Sequence, residues 1–215
     1  PCEIYSDVAG IYTCDPKVHE KARKLEYITY DEMLELAALG AKVLHSRSVE
    51  IAKKYNVELI CLSSFSEEGG TRVVAKLPEW LEQPVVTGAT IDTNQLKVTV
   101  NYLPSDTDVL SRIFNAVAKA SFNVDMISVV NENGHSHLTF TVLSANPAAI
   151  RRTIEGVLKD VDGWELTLDD NVAKVSTVGV GMRSSAGVAA RFFSSLQKTG
   201  VRIIATTTSE IKISV

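Results

Sequence analysis

The sequence is poor in the residues that mark several specialised classes. Its three cysteines, Cys2, Cys14 and Cys61, are odd in number, scattered, and contain no CxxC pair. That argues against a disulfide framework or a zinc site and fits reduced, mostly buried thiols. No apolar run approaches the roughly 20 residues that span a bilayer, and the first residues lack the basic-then-apolar pattern of a signal peptide. The 22 Lys and Arg residues face 26 Asp and Glu, giving a formal charge of −4 with no dense basic cluster. Neither a nucleic acid nor a membrane is therefore an expected partner, and the expected compartment is the cytoplasm. What is present is an ordinary globular composition, 45% hydrophobic and 22% charged over 215 residues. This length can enclose a core in one or two domains.

Both ends read as strands in mid-course, Glu3–Tyr5 at the start and the alternating Ile211–Val215 at the finish. The expectation is a fragment or a separately expressed piece. Thr29 with Glu32 forms a capping-box pattern ahead of Met33, Leu36 and Ala37, which predicts a helix ending near Gly40. Ser46–Lys54 predicts a second helix with Val49, Ile51 and Ala52 apolar, followed by a buried strand over Val57–Leu62 and a loop from Ser63 to Thr71. Such a stretch suits the end of an α/β domain. Residues 75–86, with two prolines, read as a linker. Beyond it, strands are expected at Val85–Ile91 and Leu96–Leu103 around a turn at Asp92–Asn94, then a helix carrying Leu110, Ile113, Phe114 and Val117. Strands at Val124–Val130 and Leu138–Leu143 and a helix at Pro147–Leu158 follow.

An internal repeat organises this second region. Val109–Lys119 (VLSRIFNAVAK) aligns without a gap on Val188–Lys198 (VAARFFSSLQK), and the strands Lys97–Val100 and Lys174–Val178 precede them. A further strand is expected after each helix, at Asn123–Ile127 and Arg202–Ala205. Two copies of strand–loop–helix–strand suit two ferredoxin-like modules, the second incomplete.

Several longer motifs resemble one family. Tyr5–Pro16 (YSDVAGIYTCDP), Tyr30–His45 (YDEMLELAALGAKVLH), Ser63–Phe65 with Gly69–Thr71, Val178–Met182 (VGVGM) and Thr208–Ser214 (TSEIKIS) are similar, in order, to stretches of aspartokinases. The resemblance implies an α/β and α+β chain: the end of an amino-acid-kinase αβα domain followed by two ferredoxin-like ACT modules. The implied boundaries are 1–74 for the kinase part, 75–84 for a linker, 85–168 for ACT module 1 and 169–215 for a truncated ACT module 2. It further implies transfer of a phosphoryl group from ATP, with Mg2+, to the side-chain carboxylate of L-aspartate. That is the first step of lysine, threonine and methionine biosynthesis.

By the same resemblance Ser6, Asp7, Tyr12, Lys17 and Lys42 are the ATP-binding positions. Lys17 stands where relatives often carry Arg, which removes the planar fork and its bidentate contact. Phosphoryl transfer is largely positioning and charge neutralisation, so such cations have a physical purpose. Taken alone, Tyr12 reads as a packed strand-end aromatic and Lys42 as a solvated helix-end cation. The family's Lys-Phe-Gly-Gly segment and the segments that seat aspartate are not in the sequence. No catalytic residue is assigned here, and the chain alone is expected to be inactive.

The resemblance also implies feedback inhibition through an amino-acid site in the ACT modules. Leu103, Asp106, Val109 and Leu110 would line its loop side and Asn123, Val124 and Asp125 its strand side. Asp106 or Asp125 would hold an effector ε-ammonium by a charge-assisted bond. Asp106 and Asp108 equally suit caps of the helix beginning near Val109. L-lysine is the first choice of effector, with L-threonine alone or alongside it open. Exposed strand edges suggest a homodimer through the ACT modules; assembly with a catalytic chain is the other partner. The alternative function is a separately made, non-catalytic ACT regulatory subunit. His135-Ser136-His137 reads as a solvent-facing hairpin rather than a metal pair, so no metal site is expected. Gly179-Val180-Gly181 reads as a tight strand-to-loop passage rather than a dinucleotide fingerprint.

Overall fold

The chain divides into two units with separate hydrophobic cores, residues 1–91 with 175–215, and residues 92–174. The computed structural model describes residues 1–215 except Lys42, Gln83, Asp106, Ser144 and Ala145, and describes Thr107 without its side chain.

The first unit begins with β1 (Cys2–Ser6), β2 (Tyr27–Thr29), α1 (Tyr30–Ala38), α2 (Ser46–Lys54), β3 (Leu59–Ser63) and β4 (Thr71–Val74). The sheet order is β1-β3-β4-β2, with β1 parallel to β3, β3 antiparallel to β4, and β4 parallel to β2. Helix α1 starts where the capping box requires. Thr29 Oγ1 accepts from Glu32 N at 3.3 Å while the Glu32 carboxylate accepts from Thr29 N at 3.1 Å. The helix buries Tyr30, Met33 and Leu36 and ends just before Gly40, whose φ of +99° suits a residue without Cβ. In α2 the buried positions are Val49 and Ala52, whereas Ile51 is 51% exposed. Strand β4 was not expected; it begins at Thr71, where the expected loop ends, and its Thr71 and Val73 are fully buried. Of the three thiols only Cys61 is buried; Cys2 is exposed and Cys14 half-buried, so the expectation of mostly buried thiols holds for one.

Strand β5 (Gly88–Pro104) is a single element, not two strands about a turn. Asp92 does bond locally, accepting from Asn94 N at 2.9 Å and from Gln95 Nε2 at 2.8 Å. These bonds do not reverse the chain, because ladder partners on β7 take up the backbone from Gln95 onward. The second unit holds β5 from Asp92, α3 (Thr107–Lys119), β6 (Val124–Glu132), β7 (His135–Leu143), α4 (Pro147–Val157) and β8 (Glu165–Val178) up to Lys174. Its strand order is β6-β7-β5-β8. Val109, Ile113 and Val117 of α3 and Ile150 and Ile154 of α4 pack against alternate residues of β5 and β7, among them Val98, Val100, Leu138 and Phe140. The 3.6-residue and two-residue periods meet in one ferredoxin-like core.

From Val175 the chain rejoins the first unit. The end of β8 is followed by a 3-10 turn (Val180–Ser184), α5 (Val188–Lys198), β9 (Thr207–Thr208) and β10 (Lys212–Ser214), in the antiparallel order β8-β10-β9. This order repeats β5-β7-β6, with α3 and α5 in corresponding places, so the sequence repeat is a topological one. The second copy departs from expectation at Arg202–Ala205. These residues join no ladder, and Val201, Ile203 and Ile204 are exposed; pairing begins only at Thr207.

Candidate functional site

The residues expected on the nucleotide side gather after β1. Ser6 ends that strand opposite Ser63 of its parallel neighbour β3. The carboxyl ends of parallel strands are where α/β sheets present ligand-binding loops. Ser6 Oγ accepts from Val8 N at 3.3 Å, Ser6 O accepts from Ser64 N at 2.8 Å, and Asp7 is exposed. Tyr12, half-buried, bridges to Lys24, and Lys17 is exposed in a turn whose backbone N–H donates to Asp15 Oδ1 at 2.8 Å. Four of the five expected positions thus lie on one strand end and its loop; Lys42 is outside the described residues.

Thr71, which sequence reasoning missed, fastens this loop. Its fully buried hydroxyl accepts from Ile11 N at 2.8 Å and donates to Leu25 O at 2.5 Å. A Cβ on Gly10, at φ +140°, would stand 2.5 Å from that hydroxyl oxygen. Lys24 Nζ donates to Gly69 O at 2.5 Å, joining the loop to the one before β4.

A second residue of unrecognised importance is Glu32. Its side chain is wholly buried, and both oxygens are used. Oε2 accepts from Thr29 N and from Thr29 Oγ1 at 2.7 Å, while Oε1 accepts from Thr87 Oγ1 at 2.5 Å and Val180 N at 3.0 Å. One carboxylate therefore joins α1, the chain entering β5 and the 3-10 turn after β8. A buried charge is tolerable when its lone pairs are filled in this way. Gly179 and Gly181 complete the junction by lying against the backbone of Pro84–Thr87, where a Cβ on either would collide. The Gly-Val-Gly signal is thus a close approach of two backbones.

Nearby, a groove of about 710 Å³ is lined by Asp31, Glu35, Glu50, Lys53, Arg183 and Glu210, among others. Lys53 is paired with Asp31 at 2.6 Å and Arg183 with Glu210 at 3.0 Å, while Lys212 holds Glu35 at 2.9 Å. With its cations engaged by carboxylates, the groove does not suit a polyphosphate.

The residues expected on the effector side fall into two sets. Leu103 is opposite Ser136 on β7, whereas Val124 is opposite Val142. From Ser136 to Val142 a strand advances about 20 Å. Within one module the loop side (Leu103, Val109, Leu110) and the strand side (Asn123, Val124, Asp125) therefore stand at opposite ends of the sheet. Leu103 and Val109 are core residues, Leu110 and Val124 are half-buried, and Asn123 is exposed. Asp106 lies outside the described residues. Asp125 carries an unforeseen ion pair: one of its oxygens accepts from the ammonium of Lys174 on β8.

Family models match at both ends of the chain, the amino acid kinase family over residues 1–63 and the ACT domain over residues 175–215. The aspartokinase of Helicobacter pylori is 44% identical over 218 residues, which take in 100% of this chain and 53% of that protein. The chain belongs to the aspartokinase family. It spans about half the length of the curated relatives that it matches. Two solved members of the aspartokinase family share the fold. Aspartate kinase from Clostridium acetobutylicum has a TM-score of 0.84 at 22% identity, covering 99% of this chain and 49% of that one. Escherichia coli aspartokinase III in complex with lysine and aspartate has a TM-score of 0.77 at 24% identity, covering 99% and 47%.

In this aspartokinase-family chain, His135 and His137 flank the ring of Tyr102 edge-on, with centroids 6.0 and 5.2 Å away. His137 Nδ1 is 3.0 Å from Asn101 Oδ1. Among the described residues no group of three or more His, Cys, Asp or Glu is arranged to hold a metal, and no helix is long and apolar enough to cross a membrane.

Proposed function

We propose that the chain is the nucleotide-side tail and effector-sensing part of an aspartate kinase. The parent enzyme would phosphorylate the side-chain carboxylate of L-aspartate with ATP and Mg2+. Ser6, Asp7, Tyr12, Lys17 and Lys42 would face the nucleotide, and the reaction would be inhibited through the ACT modules. The observation that carries this reading is the 44% identity running through both cores and both copies of the repeat. Expected roles are L-lysine as effector, with L-threonine second, and a cytoplasmic location.

The separation of the two effector-side sets supports a homodimer. Strand β6 is an edge strand and exposes Ile127, Val129 and Val130, an apolar edge of the kind that pairs with another chain. A second copy turned end for end about a two-fold axis there brings its strand side to the end that holds the first copy's loop side. Amino-acid binding would then favour one arrangement of paired modules and bias the kinase against its active geometry.

Calorimetric titration of the chain with L-lysine and L-threonine, singly and together, tests the sensor, with sedimentation velocity reporting the dimer. Heat on lysine addition that is lost in Asp125→Ala is expected. No heat with either amino acid would sink the sensor assignment. The chain alone is expected to form no aspartyl phosphate.

A further inference from the structure

Among the described effector-side residues, Asp125 is the one whose charge is already engaged. Its partner Lys174 is only 7% exposed, whereas Asp125 is 36% exposed. The pair is thus one-sided: the ammonium approaches from within the protein, and the carboxylate keeps a face open to solvent. Across the same unit Lys97 has its own partner, Asp169, at 3.8 Å. A largely buried lysine without an anion is costly, so Asp125 is what makes the position of Lys174 tenable. A ligand ammonium arriving at Asp125 meets a site already filled by chemistry identical to its own.

We propose that Lys174 is a built-in competitor at Asp125: its ammonium occupies the carboxylate in the free chain, and the ε-ammonium of an effector lysine binds there by displacing it. The inference rests on the reading of Asp125 as an effector contact and adds the regulation of that site. The apparent affinity for lysine is lowered by the fraction of chains in which Lys174 holds the carboxylate, as for any ligand that binds only a minor state. Lys174 thereby sets the effector concentration at which the sensor responds.

The test is calorimetry on the 215-residue chain with L-lysine, and with L-norleucine as a probe of the same length lacking the ε-ammonium. Lys174→Met removes the competitor and is expected to tighten lysine binding about tenfold or more. Lys174→Arg, with its planar fork on the carboxylate, is expected to weaken it; norleucine should respond to neither change. Loss of lysine binding in Asp125→Asn with unchanged affinity in both Lys174 variants overturns the competitor and leaves the effector reading standing. No lysine binding in the wild type or either variant overturns both, whereas binding in Lys174→Met alone supports the competitor. Should Lys174→Met fail to fold, nitrogen-15 spectra of the wild-type lysine ammoniums decide. A solvent-protected Lys174 signal that disappears on lysine saturation supports displacement, and one that persists overturns it.

Discussion

In the first copy of the repeat, α3 buries Val109, Ile113 and Val117 completely or nearly so. In the second, α5 buries Val188 and leaves Phe192, Phe193 and Leu196 half-exposed. The helices have the same length of matching sequence and the same apolar spacing. The first copy adds a second helix and closes four strands around one core. The second has, among the described residues, one helix and three strands, two of them only two and three residues long. Apolar periodicity announces that a helix has a face to bury; the depth of burial is decided by what lies opposite.

Large-to-small substitution is the strongest way to break this comparison. Ile113→Ala should cost about 2–5 kcal/mol, and its counterpart Phe192→Ala about 1 kcal/mol despite removing a larger group. Each unit carries one tryptophan, Trp80 against Tyr27 in the first and Trp164 at the core of the second. Urea unfolding followed by fluorescence in Trp80→Phe and Trp164→Phe backgrounds can therefore assign each loss. Equal losses would mean that α5 is packed as tightly as α3.

Next in size is Glu32→Gln, which places an amide donor among four donors. A loss of about 2–3 kcal/mol is expected, with faster hydrogen exchange at Val180 N or at Thr29 N, whichever comes to face the amide nitrogen. Unchanged exchange at both would show that neither contact depends on the Glu32 carboxylate.

The units also differ in titratable core groups. Burial pushes the Cys61 thiol up to about 11 from 9.0, and the second unit contains no cysteine. An acid whose folded pKa is raised stabilises the fold fully below its unfolded pKa, and the contribution is lost as pH rises towards the folded value. The first unit should lose stability between about pH 9 and 11, and Cys61→Ala should flatten that dependence. Chemical denaturation across this range, read at Trp80, is the measurement. A smaller contrast is expected in native-state hydrogen exchange: amides of residues 201–206 should exchange quickly while those paired between β6 and β7 are protected.

Much of the fold was legible because it rests on local signals. The capping box of α1, the period of α3, Pro147 at the start of α4 and the repeat itself are all written in neighbouring residues. The errors arose where distant chain decides. The strand from Gly88 to Pro104 runs through a credible Asx turn because β7 offers it a ladder, and Arg202–Ala205 has strand composition without a partner strand. The candidate site divides likewise. Ser6, Asp7, Tyr12 and Lys17 were proposed from one continuous motif. Thr71, Glu32 and Lys174 act across 60, 148 and 49 residues of sequence, and no spacing rule reaches that far.

In the proposed homodimer, placing the loop-side and strand-side residues at opposite ends of one sheet has a genetic consequence. A chain damaged at Leu110 and a chain damaged at Asp125 would each build only defective sites by themselves. In a mixed pair, both lesions would fall on one site and leave the other whole. Co-expression of two such lysine-insensitive alleles should therefore restore lysine response in about half of the molecules, at one site per pair.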